Sequence, residues 1–395
     1  MNDRITYPSR RDVVRACSAG GLSAVFPTTH VRKANAAPMD EITTSSDQWR
    51  RGGHLRHQVG ERAISSEGMA WRSDSNRLAW RASGGVGFVF DLPTGRVVTK
   101  LPLTRWLKAA HYVRGTNTLL LGGALLTDPE RSPAAFTVVE GETGQVLRQI
   151  IGPVPPDLKL DPAAPNQFAP LSPVANSAEF IETDRETGLV VAGTQAGLAG
   201  LFLLNPSTWQ TSVEAFSDKR VSGALSRSGR QGTPEFALSS SSGHVLIANR
   251  RTRTITHDIY AHPADVSCVA YSPDGSVLLS AMSSAGNGRN DQRPFDFKEA
   301  ERHKIRAWRT MDYTKVGELD TEMGSCDALS FHPDGMIFAS ASVEEVVLFD
   351  TRTLAVIRRM SSPVRLAKSI AFSPNGRWLA ESGAGAGGRV ALFEA

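Results

Sequence analysis

The chain has 395 residues, 41% hydrophobic and 21% charged, the balance of an ordinary globular protein rather than a disordered or collagen-like one. Its formal charge is +4, but residues 1–36 hold six basic side chains (Arg4, Arg10, Arg11, Arg15, Arg32, Lys33) against two acidic ones (Asp3, Asp12). The rest of the chain is neutral, which leaves no electrostatic footprint for nucleic acid, and no apolar run reaches the ~20 residues of a membrane-spanning helix.

The chain begins with Ser9-Arg10-Arg11-Asp12-Val13-Val14-Arg15, then a weakly apolar stretch from Ala16 to Thr29, then Ala34-Asn35-Ala36-Ala37, a small-x-small cleavage pattern. That order resembles a twin-arginine export leader, with Val in place of the usual Phe and Leu and Arg in place of Lys. The resemblance implies a signal peptide over residues 1–36, a periplasmic destination and a chain that crosses the membrane already folded. Cys17 is not a lipoprotein cysteine, because Arg15 sits two residues before it and no apolar run precedes it. Residues 37–52 read as a mobile lead-in to the globular part.

From residue 53 onward, short apolar runs flank tight turns. Val269-Ala270-Tyr271 and Val277-Leu278-Leu279 bracket Ser272-Pro273-Asp274-Gly275, where Pro presets φ and Gly takes the positive φ that a reversal needs. The pattern returns as Phe331-His332-Pro333-Asp334-Gly335 and as Phe372-Ser373-Pro374-Asn375-Gly376. Aligning such turns gives seven, at Asp74, Gly115, Glu186, Gly229, Asp274, Asp334 and Asn375. Four of the six intervals are 41–45 residues, the period of a four-stranded repeat; the two longer ones contain polar or Pro-rich insertions, 152–177 and 283–303. Each repeat continues into a third apolar run, such as Gly87–Asp91 or Val346–Asp350, most of them closing on Asp, Asn or Glu, and a short turn then leads to a fourth strand.

The fifth repeat has His262 before its first strand, Asp274 in its turn, Ser280 in its second strand and Trp308 ending its third, with Arg309 after Trp where Asp is usual. These positions resemble the WD40 repeat, and the likeness extends over roughly residues 54–395. It implies an all-β fold: a seven-bladed β-propeller of four-stranded antiparallel blades occupying residues 53–395. It also implies an architectural role for His262, which orients neighbouring strands. The last repeat stops at Ala395, one strand short. Gly53–Glu61 has no blade of its own, so it is expected to supply that outer strand and close the ring.

Strand alternation assigns every large insertion (124–133, 152–177 and 283–303) to one face of such a ring, and elaborated loops on a rigid scaffold are where binding concentrates. Within 283–303, Phe295 and Phe297 stand beside Arg289, Arg293 and Asp296, the residue types that anchor protein partners. The bland alternative is that both rings fold back onto the propeller.

Other constellations carry less. Cys268 and Cys326 stand at the first strands of adjacent blades and could pair in an oxidising periplasm, but they lie at different distances from their turns, so buried free thiols are the preferred expectation. His54 and His57 are expected on opposite faces of one strand. His303 and His332 lack ligand spacing, and Asp291, Asp296, Glu299 and Glu301 are interleaved with Arg and Lys. The run Gly383–Gly388 is followed by a strand, not by the helix a dinucleotide loop needs. No metal, cofactor or catalytic residue is assigned. Two functions follow: an exported non-catalytic scaffold that binds a protein partner of unknown identity, and, second, a periplasmic propeller enzyme or subunit resembling quinoprotein amine dehydrogenase chains, with an axial site. The first is preferred, although fold by itself does not fix function.

Overall fold

The computed structural model describes residues 46–51, 53–59, 66–82, 87–102, 110–122, 134–151, 178–183, 189–194, 200–215, 227–240, 242–282, 304–321, 326–342, 345–364, 367–383 and 390–395. The chain divides into two compact units, Met1–Glu41 and Ile42–Ala395. The first, with the expected leader, lies outside the described residues, as do 152–177, 283–303 and the Gly-rich 384–389.

Among its described residues, Ile42–Ala395 contains one short helix, α1 (Ser46–Arg51), and seven four-stranded antiparallel sheets. After β1 (His54–Val59), the first sheet is β2 (Ser66–Trp71), β3 (Arg77–Ala82), β4 (Gly87–Asp91) and β5 (Arg96–Leu101). The second is β6 (Ala110–Tyr112), β7 (Thr118–Gly122), β8 (Ala134–Glu140) and β9 (Val146–Ile151). The third is β10 (Ala178–Thr183), β11 (Val190–Thr194), β12 (Gly200–Leu204) and β13 (Thr211–Ala215). The fourth is β14 (Arg227–Gly229), β15 (Glu235–Ser239), β16 (His244–Asn249) and β17 (Thr254–Tyr260). The fifth is β18 (Val266–Tyr271), β19 (Val277–Met282), β20 (Lys304–Arg309) and β21 (Thr314–Asp320). The sixth is β22 (Ala328–Phe331), β23 (Ile337–Ala341), β24 (Glu345–Asp350) and β25 (Val356–Ser361). The seventh is β26 (Ala367–Phe372), β27 (Trp378–Gly383), β28 (Val390–Glu394) and, as its outer strand, β1.

The first strands of successive sheets touch one another: β2 meets β6 and β26, β6 meets β10, β14 meets β18, β18 meets β22, and β22 meets β26. Between the third and fourth sheets, Leu203 packs with Phe236, Leu238, Leu246 and Ala248. The sheets therefore form a closed seven-bladed β-propeller with the first strands innermost. The middle strands explain why: β4 and β23 are buried along their whole length, and they bury that apolar surface only against neighbouring blades. A lone four-stranded sheet of this kind would leave both faces in water.

Ring closure takes the expected form. Leu55 pairs with Phe393, His57 with Leu392 and Val59 with Val390. Within the segment expected as a lead-in, Ser46–Arg51 is helical and Trp49 is fully buried against the sixth and seventh blades.

Two expectations are corrected. The fourth turn lies at Gly232, which takes φ +73°, while Gly229 ends β14 and pairs with Phe236. Two glycines stand three residues apart in Ser228–Gly232, and the ladder rather than the spacing selects the one that turns. His54 and His57 share a face, because a bulge between Leu55 and His57 shifts the register: His54 faces Glu394 and His57 faces Leu392, partners two residues apart.

Candidate functional site

The described residues distinguish the two faces of the ring by the length of their connections. Connections from first to second and from third to fourth strands emerge on one face and hold at most six residues, as in 205–210. Second-to-third connections and those between blades emerge on the other face, and they include 123–133, 152–177, 216–226 and 283–303. The sequence-derived contacts Arg289, Arg293, Phe295, Asp296 and Phe297 all belong to the last of these and lie outside the described residues.

The short-turn face is stitched between blades by side chains at equivalent turn positions. Arg72 donates through Nη1 to Asn117 (2.9 Å) and to Glu142 (2.8 Å) in the next blade. Arg230 donates through Nε to the Gly275 carbonyl (3.0 Å) and pairs with Glu235 (2.6 Å). Glu235 also accepts the Tyr313 hydroxyl (3.1 Å), which lies 2.9 Å from the Tyr271 hydroxyl. The turn acids serve the backbone: Asp274 accepts from Ser276 N (3.0 Å), Asp334 from Met336 N (2.9 Å), Asp91 from Thr94 N (2.9 Å) and Asp350 from Thr353 N (2.8 Å). These groups are occupied in holding turns and blades together.

On the fifth blade the structure brings three repeat residues together. Trp308 Nε1 donates to Ser280 Oγ at 3.0 Å, and the same oxygen lies 2.9 Å from His262 Nε2. His262 is fully buried, and burial, reinforced by the Arg306 charge, pushes its pKa down to about 3, so the ring is neutral at neutral pH. Its Nδ1 has no hydrogen-bond partner among the described residues. Asp274 belongs to the turn at the opposite end of β19 and takes no part in this trio. Arg309, after the Trp, pairs instead with Asp312 at 2.5 Å.

The seventh blade uses different residues at the same positions. Ser362-Pro363 stands where the fifth blade has His262-Pro263, and Glu381 stands where it has Ser280. Ser362 Oγ donates to Glu381 Oε2 at 2.7 Å, and Oε1 has no partner among the described residues. Burial raises the Glu381 pKa to about 8, so it is largely a neutral acid. Sequence reasoning missed it, although an acid inside the apolar run Trp378-Leu379-Ala380-Glu381 was a visible signal.

Along the axis, the titratable side chains described on the innermost strands are His111 and Tyr112 of β6 and Cys268 and Tyr271 of β18. Burial lowers His111 to about 4 and raises both tyrosines. Cys268 and Cys326 are both free and buried, as expected. They are nevertheless neighbours, because a bulge between Val266 and Cys268 offsets β18 and because Cys326 precedes β22. No group of His, Cys, Asp and Glu among the described residues could hold a metal ion.

Residues 253–288 match the family model described as WD domain, G-beta repeat. The match spans β17, β18 and β19: the outer strand of one blade and the first two strands of the next. The sequence repeat is thus offset from the structural blade, which is the offset that makes the outer strand of the last blade come from the start of the ring. No curated protein matches the chain.

Proposed function

We propose that this chain is an exported, non-catalytic β-propeller that holds a protein partner on its loop-rich face, with Arg289, Arg293, Phe295, Asp296 and Phe297 as the contacts. The observation that carries the reading is the asymmetry of the connections: no more than six residues on one face, and segments such as 152–177 and 283–303 on the other. A blade architecture that buries its apolar residues between sheets leaves recognition to such loops. The WD40 match supports it, since WD40 domains commonly act as protein-binding scaffolds. Among the described residues no helix is long and apolar enough to cross a membrane.

The test compares proteins captured from a periplasmic extract by the intact ring, by a ring with 283–303 replaced by a short Gly-Ser turn, and by the double variant Phe295→Ala, Phe297→Ala. A partner retained by the intact ring and lost from both variants is expected. An identical set of captured proteins in all three overturns the loop assignment. Export is tested separately: Arg10→Lys with Arg11→Lys should leave the chain in the cytoplasmic fraction, and undiminished periplasmic protein would reject the leader.

A further inference from the structure

The two buried cysteines at the junction of the fifth and sixth blades sit in one cluster. Cys268 Sγ lies 3.8 Å from the Cys326 carbonyl oxygen, and Ser267 Oγ lies 2.8 Å from that same oxygen. Ser340 Oγ donates to Cys326 Sγ at 3.1 Å, and Cys326 Sγ lies 3.7 Å from the Ala328 carbonyl oxygen. Leu279, Ala281, Ile305, Phe338 and Phe349 surround the pair. The Cys326 thiol, hydrogen-bonded to Cys268, and burial together push the Cys268 thiol well up, so the closed site does not suit metal capture, and its thiols meet an outside oxidant when the blades open or before they close. Cys268 on β18 and Cys326 just ahead of β22 hold their thiols within hydrogen-bond reach of each other, near enough for a bridge.

We propose that Cys268 and Cys326 form an inter-blade disulfide when the protein meets a disulfide oxidant, and that the bridge ties the end of β19 to the start of the sixth blade. Cys268 pairs across the ladder with Ala281, one residue before β19 ends at Met282. The chemistry is thiol–disulfide exchange. One cysteine thiolate attacks a small-molecule disulfide and expels one thiol; the second cysteine attacks the mixed disulfide, forms Cys268–Cys326 and expels the other thiol. The two cysteines lose two protons and two electrons, and the oxidant takes them up. The bridge spans 58 residues of chain, including the whole 283–303 connection, so it restricts the unfolded chain strongly. Apolar burial then shields it from reductants.

The experiment uses the full chain carrying Cys17→Ser, both folded and refolded, in oxidised glutathione. Remaining thiols are blocked with N-ethylmaleimide under denaturing conditions, and peptides are read by mass spectrometry. The expected result is a linked peptide pair containing Cys268 and Cys326, an intact mass lower by two hydrogens, and a higher thermal midpoint than the reduced protein. Cys268→Ser and Cys326→Ser should each show no oxidation-dependent rise. Recovery of both cysteines as separate maleimide or glutathione adducts, in the folded and the refolded samples alike, overturns the proposal. This outcome is independent of whether 283–303 binds a partner.

Discussion

Trp49 Nε1 donates a 2.8 Å hydrogen bond to the carbonyl oxygen of Gly376, 327 residues away. The indole also meets Phe372 edge-on, with ring centroids 5.6 Å apart, and Arg50 next to it pairs with Asp350 at 2.5 Å. The helix ahead of β1 is thereby pinned across the sixth and seventh blades, where the ring closes. Gly376 takes φ +73°, and a Cβ there would overlap the His332 ring. Trp49→Ala is expected to cost about 3–5 kcal/mol, as for other fully buried aromatic residues. Gly376→Ala should also destabilise, and urea unfolding of both variants measures the loss. Unchanged midpoints would show that closure rests on β1 alone.

Ser280 is the shared oxygen between Trp308 and His262. Ser280→Ala leaves two buried nitrogens without that partner and should cost about 1–3 kcal/mol. Equilibrium unfolding checks the size. Ser280→Cys, which keeps a weak donor and acceptor, should recover part of it.

Glu381 binds its proton more tightly in the folded chain, where its pKa is about 8, than at the ordinary value of 4.5. The folded state thus holds more protons between those two values, and stability falls as pH rises from about 4.5 to 8, by a few kcal/mol at most. Glu381→Gln keeps the shape and removes the titration. Its stability should show a shallower decline over that window than the parent, and identical slopes would mean the acid does not titrate there.

The two histidines act in the opposite sense. His262 and His111 are held neutral by burial, with pKa values near 3 and 4 against an ordinary 6.5. Their contribution is complete above pH 6.5 and is lost as pH falls toward those values, because the unfolded chain protonates first. Imidazole resonances followed by NMR should show both rings neutral at pH 5.5.

Four long side chains occupy the left-handed position that closes third-to-fourth turns: Trp209, Arg253, Tyr313 and Leu354, at φ from +55° to +60°. The first two blades use Gly95 and Gly144 at the equivalent place. Arg253 is exposed, so Arg253→Gly relieves strain with little lost packing and should stabilise by up to about 1 kcal/mol, the left-handed penalty less the extra entropy of glycine. Tyr313→Gly should do the reverse, since the Tyr313 hydroxyl ties Tyr271 to Glu235. Thermal melts distinguish the two.

Strands, their grouping by four and the pairing of His54–Val59 with Val390–Glu394 were legible in the sequence, because turn chemistry and apolar runs are local signals that repeat. The face shared by His54 and His57 was not, because one extra residue in a ladder inverts side-chain parity without changing composition. The burial of Trp49 escaped for a related reason: its partners are Gly376 and Phe372, and nothing near residue 49 announces them.

The sequence by itself determined the period of the blades, the number of repeats and the origin of the closing strand, since each follows from residues within one repeat length. Only the tertiary structure decided that Cys268 and Cys326 are neighbours, that Glu381 is a neutral acid and that Trp49 seals the closure. Those properties belong to surfaces between blades, where residues distant in the chain set one another's solvation and reach.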